Sequence, residues 1–147
     1  MADYYTNFSV VMSLPSEAAQ AYAINIHHQA TLAFQDDQWA EDVPQELLNM
    51  SEDWCFEIDS NRNHAVWLHS EYGGVDAVCV FIQHLLKKFN PQGRVTFEWS
   101  HDCSKPRTDA YGGGAAIVTS KEIKTMSTGQ WLTQNAGDVP APTPEEQ

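Results

Sequence analysis

Residues 54–70 have the sequence WCFEIDSNRNHAVWLHS, and this stretch indicates a β-hairpin near the middle of the chain. Its first part alternates between apolar and polar residues, as a strand with one buried face does. Trp54, Phe56 and Ile58 alternate with Cys55, Glu57 and Asp59. Residues 60–63 supply turn chemistry, because Asn side chains tolerate a positive φ and bond the nearby backbone. Residues 64–70 form the predicted return strand.

A strand and a helix are predicted on each side of the hairpin. Before it, an alternating strand at Asn7–Ser13 leads through the N-cap residue Ser16 to a helix at Ala18–Phe34. After it, a helix at Val75–Phe89 carries lysines in its last turn, where they complement the helix dipole. The strand at Arg94–His101 follows, with strict alternation of apolar and polar residues.

The order of these elements predicts the fold class. The order β-α-β-β-α-β is that of a ferredoxin-like, split βαβ fold: an α+β domain whose antiparallel sheet carries both helices on one face. An extra C-terminal strand of small residues is expected at Gly114–Val118. The next four residues, Thr119–Glu122, match a capping box and predict a short helical turn. Such a fold hosts many functions, so the function must be argued from sites.

Length and composition predict one domain. The chain has 147 residues, of which 42% are apolar, enough for a single core. We expect a domain at residues 1–133 and a tail at residues 134–147, where proline and glutamate disfavour a packed structure. No apolar run approaches the ~20 residues of a membrane helix, and the N-terminus lacks signal-peptide features. With three scattered cysteines, these features predict a cytoplasmic protein without a membrane partner.

Charge is distributed unevenly along the chain, whose net charge is −12. Residues 1–61 hold 11 acidic residues and no Lys or Arg. Because clustered Lys and Arg are needed to bind a nucleic-acid backbone, we expect no direct nucleic-acid binding. The acidic half either keeps the protein soluble or docks on a basic surface of a partner protein. The candidate partner-binding residues are Asp36, Asp37, Glu41, Asp42, Glu46 and Trp67. Trp67 serves as a contact anchor if the second face of the sheet is bare.

The segment from His101 to Ala115 concentrates functional residue types. Three successive glycines, Gly112–Gly114, can expose backbone N–H groups as a nest for a phosphate or carboxylate. Lys105 and Arg107 can add positive charge, and Tyr111 adjoins the glycines. The segment matches neither the Walker A nor the Rossmann pattern. The alternative is structural, with the glycines relieving crowding at a bulge or an edge strand.

Metal and catalytic chemistry find little support in the sequence. A metal site needs three or four convergent ligands, and the spacing of His101 and Cys103 is not that of a zinc site. Cys103 as a nucleophile and His101 as its base would need a third group to orient the histidine, and the sequence identifies none. We therefore assign no metal, no cofactor and no catalytic residue.

A resemblance to a known family rests on four short motifs. They are Phe97-Glu98-Trp99, Cys103-Ser104-Lys105-Pro106-Arg107, Tyr111-Gly112-Gly113-Gly114-Ala115 and Trp131-Leu132. Through them the stretch Glu71–Leu132 resembles an uncharacterised family of small proteins encoded by bacteriophages, plasmids and related mobile elements. The resemblance implies a mobile-element origin and, from that origin, an accessory role against the machinery of a bacterial host.

Three functions stay open at this point. The first is a non-enzymatic protein-binding module that inhibits host defence or nucleic-acid-handling machinery through its acidic N-terminal half. The second is a protein that binds a small anionic ligand, or an enzyme, using the loop Lys105–Gly114. The third is a structural or morphogenetic role in a virus particle.

Overall fold

A computed structural model describes residues 2–36, 41–139 and 141–142 as a mixed α+β structure. The strands are β1 (Tyr4–Met12), β2 (Glu57–Ser60), β3 (Val66–Ser70), β4 (Arg94–Cys103), β5 (Gly112–Thr119) and β6 (Ile123–Ser127). The helices are α1 (Glu17–Gln35), α2 (Gln45–Leu48), α3 (Val75–Phe89) and α4 (Thr128–Asn135). Within these described ranges, no helix is long and apolar enough to cross a membrane.

All six strands form one antiparallel sheet in the order β2-β3-β1-β4-β5-β6. The predicted hairpin is confirmed as β2 and β3, and α3 has the predicted bounds. The N-cap of α1 is confirmed as well, because the Ser16 hydroxyl accepts a hydrogen bond of 3.1 Å from the Ala19 N–H. The sheet has one strand more than the sequence predicts, so its strand order differs from the predicted arrangement.

The additional strand, β6, replaces the helical turn predicted after Thr119–Glu122, and that prediction is wrong. The Thr119 N–H donates to the Glu122 carbonyl oxygen at 2.8 Å and closes a tight turn between β5 and β6. The Thr119 hydroxyl accepts from the Glu122 N–H at 3.0 Å. A capping box makes this same bond at the start of a helix, so the motif satisfies a turn equally well.

The hydrophobic core lies between the sheet and its two long helices. Alternate strand residues face this core, and their side chains are buried. They include Phe8, Val10, Met12, Val66, Leu68, Phe97, Ala116 and Val118. The intervening residues, such as Val11 and Trp67, are exposed. Both long helices therefore cover the same face of the sheet, and much of the other face stays open to solvent.

The C-terminal segment is more regular than the sequence indicates. Helix α4 crosses the expected boundary between residues 133 and 134, and a short 3₁₀ turn follows at Ala136–Asp138. The Ser127 hydroxyl caps α4 by accepting a hydrogen bond of 3.2 Å from the Gln130 N–H. Of the expected tail, residues 140 and 143–147 lie outside the described residues.

An aromatic cluster joins α1, α3 and the segment that precedes β2. The fully buried Phe81 of α3 has its ring centroid 5.4 Å from that of Phe56 and 5.9 Å from that of Trp54. Both partners were expected inside the hairpin strand, but β2 begins only at Glu57, so Trp54 and Phe56 join this cluster from the segment before the strand. His27 of α1 completes it, and its Nε2 donates to the Phe56 carbonyl oxygen at 2.9 Å.

His27 should make the protein less stable at mildly acidic pH. Burial lowers the pKa of His27 below its ordinary value of 6.5, and the hydrogen bond to Phe56 offsets this only in part. The unfolded chain therefore takes up the proton at a higher pH than the folded chain does. The free energy of unfolding should fall as the pH drops below about 6.5 towards the folded-state pKa. Thermal melts between about pH 7.5 and pH 5.5 measure this loss.

The control for this prediction uses two histidine variants. In His27→Gln, the side-chain amide can still donate to the Phe56 oxygen but does not titrate, so the melting temperature should depend less on pH. His64→Gln changes an exposed histidine and should keep the wild-type pH dependence. If His27→Gln and the wild-type protein lose stability in parallel, the buried imidazole is not the cause.

Candidate functional site

The candidate site is built where three central strands meet at one end of the sheet. β1 begins there, β4 ends there and β5 begins there, so Tyr5 lies opposite Asp102 and His101 lies opposite Gly112. The segment after β3 is fastened to the same end by two backbone bonds of 3.0 Å. The Thr6 N–H donates to the Glu71 carbonyl oxygen, and the Gly73 N–H donates to that of Thr6.

Four tyrosines and four carboxylates share this end of the sheet. We call them the tyrosine surface: Tyr4, Tyr5, Tyr72, Tyr111, Asp3, Glu71, Asp102 and Asp109. Tyr4 and Tyr111 are each 56% exposed, and Tyr72 is 71% exposed. Three of the tyrosines, with Asp102 and Asp109, line one cavity of about 270 Å³. The fourth, Tyr72, has its ring centroid 6.1 Å from that of Tyr5.

The tyrosine surface carries negative potential. The charge of Asp3 raises the pKa of Tyr5 above its ordinary value of 10.0, and partial burial and the neighbours Tyr72, Glu71 and Asp102 add to this. The neighbouring loop holds two exposed bases, Lys105 and Arg107. Among the residues that the structure describes, no ion pair joins either base to these carboxylates. The surface is therefore suited to positively charged groups.

His101 lies at the base of this surface in a fixed orientation. Its Nδ1 shares a hydrogen bond of 2.9 Å with the Thr6 hydroxyl across the β1–β4 pair. Cys103, two residues further along β4, is buried. Over the described part of the chain, no group of His, Cys, Asp and Glu residues could hold a metal ion.

The three glycines of the predicted anion nest lie in β5, which begins at Gly112, two residues before the strand predicted at Gly114–Val118. Their backbones pair with residues 99–101 of β4, and the Gly113 N–H donates to the Thr128 hydroxyl at 3.0 Å. A Cβ on Gly113 would overlap the Trp99 carbonyl oxygen, and one on Gly114 would overlap the Trp99 ring. These contacts favour a structural role for Gly112–Gly114, and anion binding by these glycines stays a prediction.

The acidic candidates that the structure describes differ in their surroundings. Glu41 and Asp42 are exposed, Asp36 follows α1 directly, and Asp37 lies outside the described residues. Glu46 of α2 is engaged within the protein, because it accepts hydrogen bonds from His84 at 2.8 Å and from Lys87 at 3.4 Å. Burial raises the pKa of Glu46, but these two bases outweigh it and hold the pKa below its ordinary value.

Glu46 belongs to a polar clasp that links three helices. The Nε2 of His84 on α3 shares a hydrogen bond of 2.8 Å with the Tyr22 hydroxyl on α1, while its Nδ1 donates to Glu46 on α2. The ring of Tyr22 also carries the Lys88 ammonium 4.7 Å above its centroid. The clasp therefore fixes the short helix α2 against both long helices.

Trp67 is exposed on the bare face of the sheet, as the sequence predicts for an uncovered face. Its ring stacks on that of His69 with centroids 3.8 Å apart, and its Nε1 donates to the Ser9 hydroxyl at 2.7 Å. His69 in turn donates to Asp59 at 2.8 Å. The indole is thus held in place by its neighbours and is still 38% exposed.

Sequence reasoning missed most of the tyrosine surface. Tyr111 stood among the candidates, but Tyr4, Tyr5 and Tyr72 did not, and neither did the carboxylates around them. The available signal was the Tyr4-Tyr5 pair directly before an alternating strand and the Glu71-Tyr72 pair directly before a glycine break. In comparisons with known proteins, no family model, no curated protein and no solved structure matches the chain.

Proposed function

We propose that the chain is a non-enzymatic protein-binding module that docks on a basic surface of a partner protein. The observation that carries this proposal is the tyrosine surface, where exposed rings and carboxylates surround one cavity. Tyrosine offers a large, rigid contact area at low entropic cost and is enriched at protein interfaces. Its ring face and the carboxylates both attract Lys and Arg side chains. A basic partner satisfies both features at once.

The kind of partner follows from the charge of the whole chain. A net charge of −12 steers the protein towards basic surfaces and away from nucleic acid. The basic surfaces of nucleic-acid-handling proteins display Lys and Arg for a phosphate backbone, and an acidic module competes for them. We therefore include in the proposal an inhibitory role of mobile-element origin. The free cysteines Cys55, Cys79 and Cys103 support a reducing cytoplasm as its location.

We extend the proposal to the topology of the fold. The four strands β2-β3-β1-β4, with α1 and α3 on one face, support a split βαβ core. β5 and β6 then extend that core at one edge. In this arrangement the tyrosine surface lies at the start of the first strand of the core and at the end of its last.

Two double variants with equal charge changes test the proposed surface. Asp102→Asn with Asp109→Asn removes two charges from the tyrosine surface. Glu41→Gln with Asp42→Asn removes two charges from the exposed acidic segment that the sequence favoured. The probe is a fluorescein-labelled peptide rich in lysine and arginine, with a glutamate-rich peptide as negative probe, and fluorescence anisotropy measures Kd.

We expect the first double variant to weaken binding about fivefold, since two exposed charge contacts are worth together about 1 kcal/mol. The second should change Kd by less than about twofold, because its charges lie away from the contact. Raising the salt from about 0.1 M to about 0.5 M shortens the screening length from about 10 Å to about 4 Å and should weaken wild-type binding. Equal effects of the two double variants would mean that net charge alone, and not the tyrosine surface, attracts the peptide.

A further inference from the structure

Within the part of the chain that the structure describes, one edge strand of the sheet has no partner on its outer side and no acidic side chain. β6 is the last strand of the sheet and pairs with β5 alone among the described strands. Exposed edge strands present unpaired N–H and C=O groups to other chains, and proteins commonly protect them with charged residues. The opposite edge, β2, carries Glu57 and Asp59, whereas β6 carries a single charged residue, Lys124.

The turn between β5 and β6 determines which backbone groups of β6 point outward. The Thr119 N–H bonds the Glu122 carbonyl oxygen, so this pair is a hydrogen-bonded one. In an antiparallel ladder hydrogen-bonded pairs alternate with non-bonded ones, so Lys124 and Met126 bond inward to Ile117 and Ala115. The N–H and C=O groups of Ile123, Thr125 and Ser127 therefore point away from the sheet.

The surface around this edge combines exposed apolar side chains with few charged ones. Met126 is 41% exposed and Ile117 is 43% exposed, and they lie on the bare face of the sheet. Helix α4 packs on β5 and β6 and adds two exposed residues, Trp131 and Leu132. Residues 123–137 contain no Asp or Glu. In a chain with a net charge of −12, two copies can approach here with little electrostatic repulsion.

We propose that two copies of this chain associate through antiparallel pairing of β6 with β6, around a two-fold axis at Thr125. The axis places Thr125 opposite Thr125 of the second copy, so their outward N–H and C=O groups bond each other. The same register places Lys124 opposite Met126 of the second copy, so the single charged side chain of the strand meets an apolar one. The register is the same on both sides of the axis, so a second copy of the chain can satisfy it with no Lys–Lys contact.

Sedimentation velocity of the full chain, between about 1 and 100 µM, tests the proposal because a dimer of this kind is concentration-dependent. Wild-type protein should sediment increasingly as a dimer. Thr125→Pro removes an outward N–H, which an edge strand tolerates without loss of its inward bonds, and should abolish the dimer. Circular dichroism melts of both proteins show whether the variant monomer is folded.

Two variants of Met126 test the register itself. Met126→Lys places a lysine opposite Lys124, twice in a symmetric dimer, and should weaken association about tenfold. Met126→Glu places a glutamate there and should keep or strengthen association. The two changes are equally polar and affect an exposed side chain, so both monomers should fold. A wild-type chain that stays monomeric up to about 100 µM overturns the proposal, and so does equal weakening by the two Met126 variants.

Discussion

Replacing Phe81 by alanine should lower the free energy of unfolding by about 4 kcal/mol, the largest effect expected of a single change in this chain. The Phe81 side chain is fully buried, and its ring lies within 5.9 Å, centroid to centroid, of those of His27, Trp54 and Phe56. Its removal leaves a cavity that the surrounding rings fill only in part. Urea unfolding followed by tryptophan fluorescence measures the loss.

Two further variants keep this prediction measurable. Phe81→Leu retains most of the volume and should cost about 1 kcal/mol, so it reports on the cluster even if the alanine variant fails to fold. Tyr111→Ala removes an exposed ring and should change stability by less than about 0.5 kcal/mol. A cost below about 1 kcal/mol for Phe81→Ala would contradict the packing of the aromatic cluster.

Gly114→Ala should destabilise the protein by about 3 kcal/mol and lower the melting temperature by about 9 °C. A Cβ at this position would overlap the Trp99 ring on one side and the Met126 carbonyl oxygen on the other. The carbonyl belongs to the neighbouring strand β6 and cannot move without breaking the ladder. Differential scanning calorimetry measures the change.

The control for Gly114 is another glycine with free space around it. A Cβ on Gly129 in α4 would meet nothing within 4 Å, so Gly129→Ala should raise stability by about 0.5 to 1 kcal/mol through helix propensity. Trp99→Leu removes the overlapping ring. The loss of stability caused by Gly114→Ala should therefore be smaller in the Trp99→Leu protein than in the wild-type protein. A Gly114→Ala protein that melts like the wild type would show that Trp99 does not pack on β5 as described.

Local chemistry made much of the fold predictable. The helix at Val75–Phe89 has an apolar stripe along one side, and Asn90-Pro91 directly after it marks its end. The predicted bounds of this helix agree with the structure. The turn after β5 was predicted wrongly because a short Thr-x-x-Glu sequence makes the same hydroxyl bond in a tight turn as at a helix start. The next strand, Ile123–Ser127, has only a weak apolar alternation, and pairing with β5 decides its conformation.

The candidate site was harder to predict because it depends on strand register. Thr6 and His101 share a hydrogen bond across 95 positions of sequence, and the tyrosine surface is assembled by that same pairing of β1 with β4. Glu46 was expected to face a partner, yet it contacts His84, 38 positions away. A single sequence contains no pattern that specifies such distant neighbours. The Gly112–Gly114 run looked like a ligand loop because sequence alone does not show the Trp99 ring beside it.

The unequal chemistry of the two sheet edges determines how far any assembly of this chain can grow. Pairing through β6 uses the edge that lacks acidic residues in both copies and leaves β2 at the outer ends, where Glu57 and Asp59 are exposed. Two such ends repel each other, so two pairs do not join through their β2 strands. A two-fold pair formed through β6 is therefore a closed assembly whose outer strands discourage joining to another pair, even though each molecule carries a bare sheet face.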